Sequence, residues 1–222
     1  MNDSTLDGDF SRADQAEDTA LVQPIGSFAL VDSGYYGART EEGNYLVCDA
    51  GPIGPDYQPG HAHADLFSFE LSVRGARVVV DSGVSTYEVG MMRDYCRSTR
   101  AHNTVEIEGQ NQVEVWSAFR VGRRCAPRDV EWQEFPDGFR LSARHDGYRH
   151  LPGRPTHFRT FLWNSSGQLD ISDSVDATIS VRSEARVHLH PDCRIAGLGE
   201  DVCTVTTPGG RVRVYWPGWA GV

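Results

Sequence analysis

The chain has 222 residues, which is long enough for a stable domain with a sizeable core that needs neither disulfides nor oligomerisation. Its formal net charge of −10 repels polyanions on average and argues against nucleic acid as a partner. No stretch of about 18 apolar residues occurs, and the acidic residues after Met1 do not resemble a signal peptide. Neither a membrane span nor a signal peptide is therefore predicted.

Residues 1–24 are predicted to be an acidic linker or disordered segment, because acidic side chains outnumber basic and large apolar ones there. Residues 25–222 are predicted to form the folded domain. The 23 glycines and 11 prolines favour many strands and turns over long helices. The five cysteines form no CxxC pair, so buried thiols are expected rather than a disulfide framework or a zinc knuckle.

Segments that alternate apolar and polar residues at period two are predicted as strands. In chain order they are residues 28–39, 44–51, 66–73, 76–83, 103–109, 112–122, 129–135, 138–146, 156–164, 168–176, 183–192, 201–207 and 210–216. The alternation predicts that one face of each strand is buried against a second sheet, in an all-β, large antiparallel β-sandwich. Residues 85–101 lack the alternation and are expected to pack over another part of the fold.

Four residues form the strongest candidate site. His61 and His63 are two positions apart, so on a strand they would project from the same side of the sheet. Asp81 ends the apolar run VVVD, where a buried carboxylate needs a partner or a metal, and His102 precedes a predicted strand. Two imidazole nitrogens and one carboxylate oxygen form a suitable ligand set for Zn²⁺.

Other interpretations of these residues remain open. Paired histidines also occur as surface or core strand residues, and Asp81 can serve as a turn residue in the sequence DSG. The string HAHAD also matches the start of a metallo-β-lactamase zinc motif, but Leu66 stands where that motif requires a histidine. A cupin is the stronger competitor, although Glu70 comes later than the cupin spacing expects.

A longer pattern carries a family resemblance. The strings GHAHADLFSFELSVRGARVVVDSGVSTYE and RDYCRSTRAHNTVEIEGQNQ, within residues 60–112, resemble the signature region of the heparinase II/III-like family. DSGYYGAR, NYLVCDAGPIG and RVHLHPD extend the resemblance over most of the chain from residue 28. The family includes heparinase II, heparinase III and alginate or oligoalginate lyases.

The resemblance implies a supersandwich-like C-terminal domain that normally follows an α/α toroid, with a cleft for anionic polysaccharide between the two. It also implies β-elimination, in which a base removes the C5 proton of a uronate and an acid assists departure of the C4 oxygen. By the same resemblance, His63, Asp81 and His102 match the metal ligands, and His61 matches a histidine with a catalytic or substrate-positioning role. Zn²⁺ is the expected ion, with Ca²⁺ or another divalent ion as the alternative.

Tyr95 and Arg97 precede His102 on the non-alternating segment. Tyr95 is expected to exchange a proton and Arg97 to bind a substrate carboxylate, although Tyr87 competes with Tyr95 for the catalytic role. The arginines form two clusters, which keep a local site for an acidic sugar open despite the net charge: Arg93, Arg97 and Arg100, and Arg120, Arg123, Arg124 and Arg128.

The remaining histidines are not assigned to a site. His188 and His190 are interpreted as strand residues, whereas His145, His150 and His157 are expected to be solvent-exposed or to cap local polar groups. Asp65 is interpreted as structural.

Two functions are carried forward. The first is a metal-containing domain of a polysaccharide lyase that needs the missing toroid domain for full activity. The second is a noncatalytic, metal-stabilised carbohydrate-binding or accessory module. The family resemblance implies a periplasmic or secreted protein, and the absence of a signal peptide leaves a cytoplasmic location open.

Overall fold

The structure is a computed structural model that describes residues 24–55 and 57–216. Except for residue 24, the segment predicted to be an acidic linker lies outside the described residues. No helix of the described part is long and apolar enough to cross a membrane.

The described chain is almost entirely strands and turns, with one α-helix and two single-turn 3-10 helices, at Pro59–His61 and Thr99–Ala101. The first strands are β1 (Gly26–Leu30), β2 (Tyr35–Arg39), β3 (Tyr45–Asp49), β4 (Phe69–Val73) and β5 (Ala76–Val79). Helix α1 (Met91–Arg97) follows, and then come β6 (Val105–Ile107), β7 (Val115–Trp116) and β8 (Arg120–Val121). The last strands are β9 (Arg128–Phe135), β10 (Gly138–His145), β11 (Thr156–Asn164), β12 (Gln168–Asp176), β13 (Ser183–Ala185), β14 (Arg194–Leu198), β15 (Val202–Thr207) and β16 (Gly210–Tyr215).

Two antiparallel sheets form the body of the fold. Strands β1 to β5 make a five-stranded sheet in chain order, and β9 to β12 make a four-stranded sheet in which each strand also pairs with its neighbour in the chain. Smaller sheets consist of β13 with β6, β7 with β8, and β14 with β15 and β16. Most of these successive strands are joined by short turns, whereas residues 50–68 connect β3 to β4 and residues 146–155 connect β10 to β11.

The main core lies between the two large sheets. On β10, Phe139 and Leu141 alternate with polar residues and are at most 1% exposed. Phe161 on β11 meets Phe69 on β4 with ring centroids 5.8 Å apart, which joins one sheet to the other. The period-two pattern therefore buries one face of each sheet, and the predicted all-β antiparallel sandwich is confirmed.

Several element boundaries differ from the sequence prediction. Residues 28–39 form a hairpin of β1 and β2, because the chain turns at Gly34, whose φ is +78°. Residues 112–122 contain only the two-residue strands β7 and β8, and residues 183–192 contain only β13 as a strand. Strand β14 was not predicted, since all five of its residues are exposed and leave no alternation to detect.

Residues 85–101, predicted to be a non-strand segment, contain α1 and the second 3-10 helix. The inner face of α1 buries Arg93, Cys96 and Arg97. This segment therefore packs onto the loops that carry the candidate site.

Candidate functional site

The segment that carries the paired histidines is not a strand, so the strand-based explanation for their common orientation is wrong. His61 ends the 3-10 helix Pro59–His61, and β4 begins only at Phe69. The proline and glycine at the start of this turn disfavour a strand there. His61 is exposed, whereas His63 is only 7% exposed. The loop thus turns the two imidazoles into different environments.

His63, Asp65 and His102 form a compact group that could hold a metal ion. One ligand atom from each residue lies within 4.8 Å of the others. The Nε2 atoms of His63 and His102 are buried and have no hydrogen-bond partner within the described part of the chain. Buried polar atoms without a partner are costly, so two such nitrogens beside a carboxylate fit a divalent cation.

Asp81 lies on the other side of the His102 ring. Its Oδ2 atom is 2.7 Å from Nδ1 of His102, and its Oδ1 atom accepts a hydrogen bond from the backbone N–H of Gly83 at 2.8 Å. A carboxylate bound to one ring nitrogen fixes the orientation of the other. The structure therefore brings His63, Asp81 and His102 together. Asp81 contacts His102, whereas Asp65 is the carboxylate of the compact group.

The pKa values of the two buried histidines, His63 and His102, shift in opposite directions. Burial, with the positive charges of His102 and Arg93, lowers the pKa of His63 to about 4, which leaves its imidazole neutral and able to ligate. Burial alone would lower the pKa of His102, but the hydrogen bond to Asp81 and the charge of Asp65 raise it. Burial would raise the pKa of Asp81, but that hydrogen bond lowers it below its usual value.

The site also concentrates negative charge. Burial, together with Asp65, raises the pKa of Asp49 to about 7. Burial raises the pKa of Asp65 as well, and the charge of Asp81 adds to this effect. The pKa of the Tyr35 phenol is raised mainly by Asp49, which places this side chain beside the same carboxylates. Two neighbouring carboxylates with raised pKa values, Asp49 and Asp65, form an environment that a bound cation would stabilise.

Sequence reasoning did not single out Tyr35 or Asp49, and it gave Asp65 a structural role. The available signals were the position of Asp65 two residues after His63 and the position of Asp49 at the end of β3. Both signals need the tertiary arrangement of the loops before they indicate a site.

Tyr87, rather than Tyr95, contacts His61. The rings of His61 and Tyr87 meet edge to face with centroids 5.8 Å apart. The guanidinium of Arg93 lies over the Tyr87 ring at 5.1 Å from its centroid. Tyr95 is 41% exposed on the outer side of α1. The competing tyrosine considered from sequence is therefore the one placed at the exposed histidine.

Arg97 is not placed as the predicted substrate-binding residue. It is 1% exposed, and its guanidinium donates hydrogen bonds to four backbone carbonyl oxygens. The acceptors lie on the histidine loop and on the β7–β8 hairpin: Pro59, Ala62, Ser117 and Arg120. In this conformation Arg97 joins these two segments and has a positioning role.

His145 and His157 were predicted to be solvent-exposed or to cap local polar groups; exposure is wrong for both, whereas His145 does accept a hydrogen bond from the nearby backbone N–H of Gly147. Both are fully buried, and Nε2 of His145 lies 3.1 Å from Nδ1 of His157. Nε2 of His157 in turn lies 2.7 Å from Asp173. Strands β10 and β11 pair at these two histidines, and the strand alternation turns both side chains inward.

Arg159 connects this buried network to the candidate site. It makes a two-pronged ion pair with Asp173 and donates hydrogen bonds to the carbonyl oxygens of Phe67, at 2.8 Å, and Asn103, at 2.6 Å. Phe67 follows Asp65 by two residues, and Asn103 follows His102 directly. The second sheet therefore supports both segments that carry the candidate ligands.

Comparison with known proteins gives this arrangement a family context. The model of the family described as "Heparinase II/III-like, C-terminal" matches residues 22–219, which is most of the chain. The chain belongs to this family. The heparin-sulfate lyase of Pedobacter heparinus is 32% identical over 94 residues, which cover 39% of this chain and 14% of that protein.

Solved structures share the fold of this heparinase-like domain. The heparinase III BT4657 gene product matches with a TM-score of 0.66 and 21% identity over 83% of this chain and 27% of that one. A mutant of heparan sulfate lyase HepC from Pedobacter heparinus matches with a TM-score of 0.62 and 20% identity, over 82% and 29% of the two chains. The chain thus spans less than a third of the length of these relatives.

Proposed function

We propose that this domain supplies a divalent-cation centre and a catalytic histidine to a lyase that cleaves uronate-containing anionic polysaccharide by β-elimination. The observation that carries the proposal is a buried group with two unpartnered imidazole nitrogens on the same loop as the exposed His61. The names of the relatives, a heparin-sulfate lyase and a heparinase III, support the same reaction class and an anionic substrate.

The ligands proposed for the ion are His63, His102 and one or both of Asp65 and Asp81. Two imidazole nitrogens with carboxylate oxygens suit Zn²⁺ better than Ca²⁺, which takes mainly oxygen ligands. When bound, the ion would supply a fixed positive charge at these ligands. The chain's own contribution is to hold the ligand loop in place through Arg97 and Arg159.

His61 is proposed to be the base, whose exposed imidazole removes the C5 proton of the uronate. The edge contact with Tyr87 restrains the ring without covering it, since both residues are exposed to solvent. A tyrosine phenol is proposed to be the acid, which donates its proton to the departing C4 oxygen. Tyr95 and Tyr87 are the candidates, and Tyr87 is the one in contact with His61. A toroid domain is proposed as the source of the remaining catalytic groups.

The proposal is tested by the ultraviolet absorbance of the unsaturated uronate product. The zinc-loaded chain is assayed on heparan sulfate and alginate, both alone and in place of the matching domain of the Pedobacter heparinus enzyme. We expect product from the hybrid enzyme, and His61→Ala should lower its turnover by about 10²–10⁴-fold while zinc content stays unchanged.

His150→Ala is the matched control, because His150 is an exposed histidine on the β10–β11 connection. Its turnover should equal that of the unchanged domain. A folded, zinc-loaded hybrid that binds polysaccharide but forms no product would contradict the lyase proposal. That outcome would favour the noncatalytic accessory module.

A further inference from the structure

An exposed group of aromatic side chains lies next to His61, and apart from Tyr87 it has no part in the proposed reaction. We name it the Trp116 surface, and it consists of Tyr87, Trp116, Phe119 and Arg120. The three aromatic side chains are between 48% and 51% exposed. Large exposed aromatic groups close together on a soluble domain mark interaction sites more often than chance placement.

The Trp116 surface is rigidly supported from beneath. Trp116 and Arg120 pair across the β7–β8 hairpin, and the Arg120 guanidinium lies 4.8 Å from the centre of the Trp116 ring. Arg97 donates hydrogen bonds to the carbonyl oxygens of Ser117 and Arg120, at 2.7 Å and 3.1 Å. The backbone of the hairpin is therefore held in place, and the Arg120 guanidinium contacts the exposed Trp116 ring.

A second arginine lies under the other two rings. Arg93 is 0% exposed, and its guanidinium is 5.1 Å from the centre of Tyr87 and 5.8 Å from that of Phe119. It donates hydrogen bonds to the carbonyl oxygens of Gly60, at 2.7 Å, and Ala118, at 3.1 Å. Its Nη1 atom is buried without a hydrogen-bond partner in the described part of the chain. This nitrogen is an unused donor beside the exposed rings.

The surface is continuous with the candidate site. A Cβ atom added to Gly60 would lie 3.3 Å from the Phe119 ring, so the loop that carries His61 rests against Phe119. Tyr87 contacts the His61 ring on this loop. A cavity of about 280 Å³ opens beside Trp116, lined also by Asp94, Arg97 and Asn111. A ligand lying on the rings would therefore extend towards His61.

Local charge identifies the kind of ligand. The Arg120 side chain is exposed and carries its positive charge beside the Trp116 ring, within a chain whose net charge is −10. Guanidinium groups bind carboxylates and sulfates in two-pronged geometry, and aromatic rings stack on the apolar faces of sugar rings. An anionic glycan would use both the rings and Arg120, whereas a neutral glycan would use only the rings.

We propose that the Trp116 surface binds an anionic oligosaccharide, with sugar rings stacked on Trp116 and Phe119 and carboxylate or sulfate groups on Arg120. This inference rests on the proposed function, because it names the residues that hold the substrate chain beyond His61. It differs from the sequence-based expectation, which gave the carboxylate-binding role to Arg97.

The test is isothermal titration of the full chain with heparan sulfate and alginate hexasaccharides, and with maltohexaose as the uncharged ligand. Trp116→Ala should weaken anionic hexasaccharide binding about tenfold, and Arg120→Gln about fivefold with a smaller salt dependence. Trp216→Ala and Arg213→Gln are the matched controls on exposed positions near the end of β16 and should change affinity less than twofold.

Equal affinity of the Trp116→Ala variant and the unchanged chain would overturn the inference, as would equal binding of maltohexaose or no binding of any hexasaccharide. Sedimentation provides a further check, because a dimer that Trp116→Ala dissociates, without a change in saccharide affinity, would assign the surface to self-association. The lyase proposal is judged separately by product formation. Loss of binding in the variants together with an inactive hybrid enzyme would support the Trp116 surface and contradict only the lyase proposal.

Discussion

The buried histidine pair shows how single residues set the pH dependence of this domain. The backbone N–H of Gly147 donates to Nδ1 of His145 at 3.3 Å, so Nε2 of His145 carries the proton donated to His157. Nε2 of His157 then donates to Asp173. Every ring nitrogen of the pair has a partner when both imidazoles are neutral. Burial lowers the pKa of His145 well below its usual value and also lowers that of His157.

We predict that the stability contributed by this histidine pair falls as the pH is lowered from 7 towards 5. A histidine with a lowered folded-state pKa binds its proton in the unfolded chain first, so stability is lost below the unfolded value of about 6.5. His145→Gln should reduce the slope of unfolding free energy against pH by up to about 1.4 kcal/mol per unit. Urea unfolding at several pH values measures this slope.

His145→Phe is the companion variant, because it also removes the titration but gives no hydrogen bond to His157. It should share the reduced slope and be less stable than His145→Gln at every pH. A slope equal to that of the unchanged chain in both variants would contradict a neutral buried His145.

The candidate site illustrates what residue patterns alone reveal. Sequence reasoning named His63, Asp81 and His102, and the structure brings these three together. The strand-face argument was wrong for His61 and His63, since the loop conformation is set by Arg97 and the 3-10 turn. The alternation of β10 and β11 turns His145 and His157 inward, but their contact with each other depends on the pairing of these two strands, which no local pattern specifies.

At the scale of elements, two backbone segments cross at a contact that only glycine allows. Gly34 lies in the turn between β1 and β2, and its carbonyl accepts a hydrogen bond from Ala50 at 2.8 Å. A Cβ atom on Gly34 would lie 2.1 Å from the Cα atom of Gly51. Asp49 immediately precedes Ala50 and Gly51, so this contact also helps to fix the position of the Asp49 carboxylate near the candidate site.

We predict that Gly34→Ala destabilises the domain much more than Gly75→Ala. The two glycines have nearly equal φ values, +78° and +77°, but a Cβ atom on Gly75 meets nothing within 4 Å. Gly75→Ala should therefore cost only the left-handed backbone penalty of about 1–2 kcal/mol, and Gly34→Ala about 1–3 kcal/mol more for the clash. Urea denaturation compares the variants, and equal losses would contradict the crossing.

Most elements could be predicted because the alternation is strong where both sheets face the core. The long strands β9 to β12 match their predicted segments closely. The alternation fails where strands are short or wholly exposed, as in β7, β8 and β14. Asp32 and Gly34 indicate a turn within residues 28–39. The apolar residues on both sides of them nevertheless favoured the prediction of one continuous strand.

At the scale of the whole molecule, the candidate site depends on both sheets. Arg159 on β11 links Asp173 on β12 to the carbonyl oxygens beside the candidate ligands, at Phe67 and Asn103. Phe67 adopts a positive φ of 65°, an uncommon conformation for a bulky residue, and this carbonyl hydrogen bond helps to hold it. Ion binding and folding of the sandwich are therefore expected to be coupled.

We predict that removal of the ion lowers the melting temperature of the whole domain. A ligand that binds only the folded state stabilises it by about 2.7 kcal/mol at a free concentration one hundred times its dissociation constant. Elemental analysis should find about one zinc per chain, and a chelator should remove both the zinc and this stability. His63→Ala should melt at the lower temperature with or without chelator, because it lacks a proposed ligand. His150→Ala should respond to chelator as the unchanged chain does, and an unchanged chain whose melting temperature ignores the chelator would contradict the metal centre.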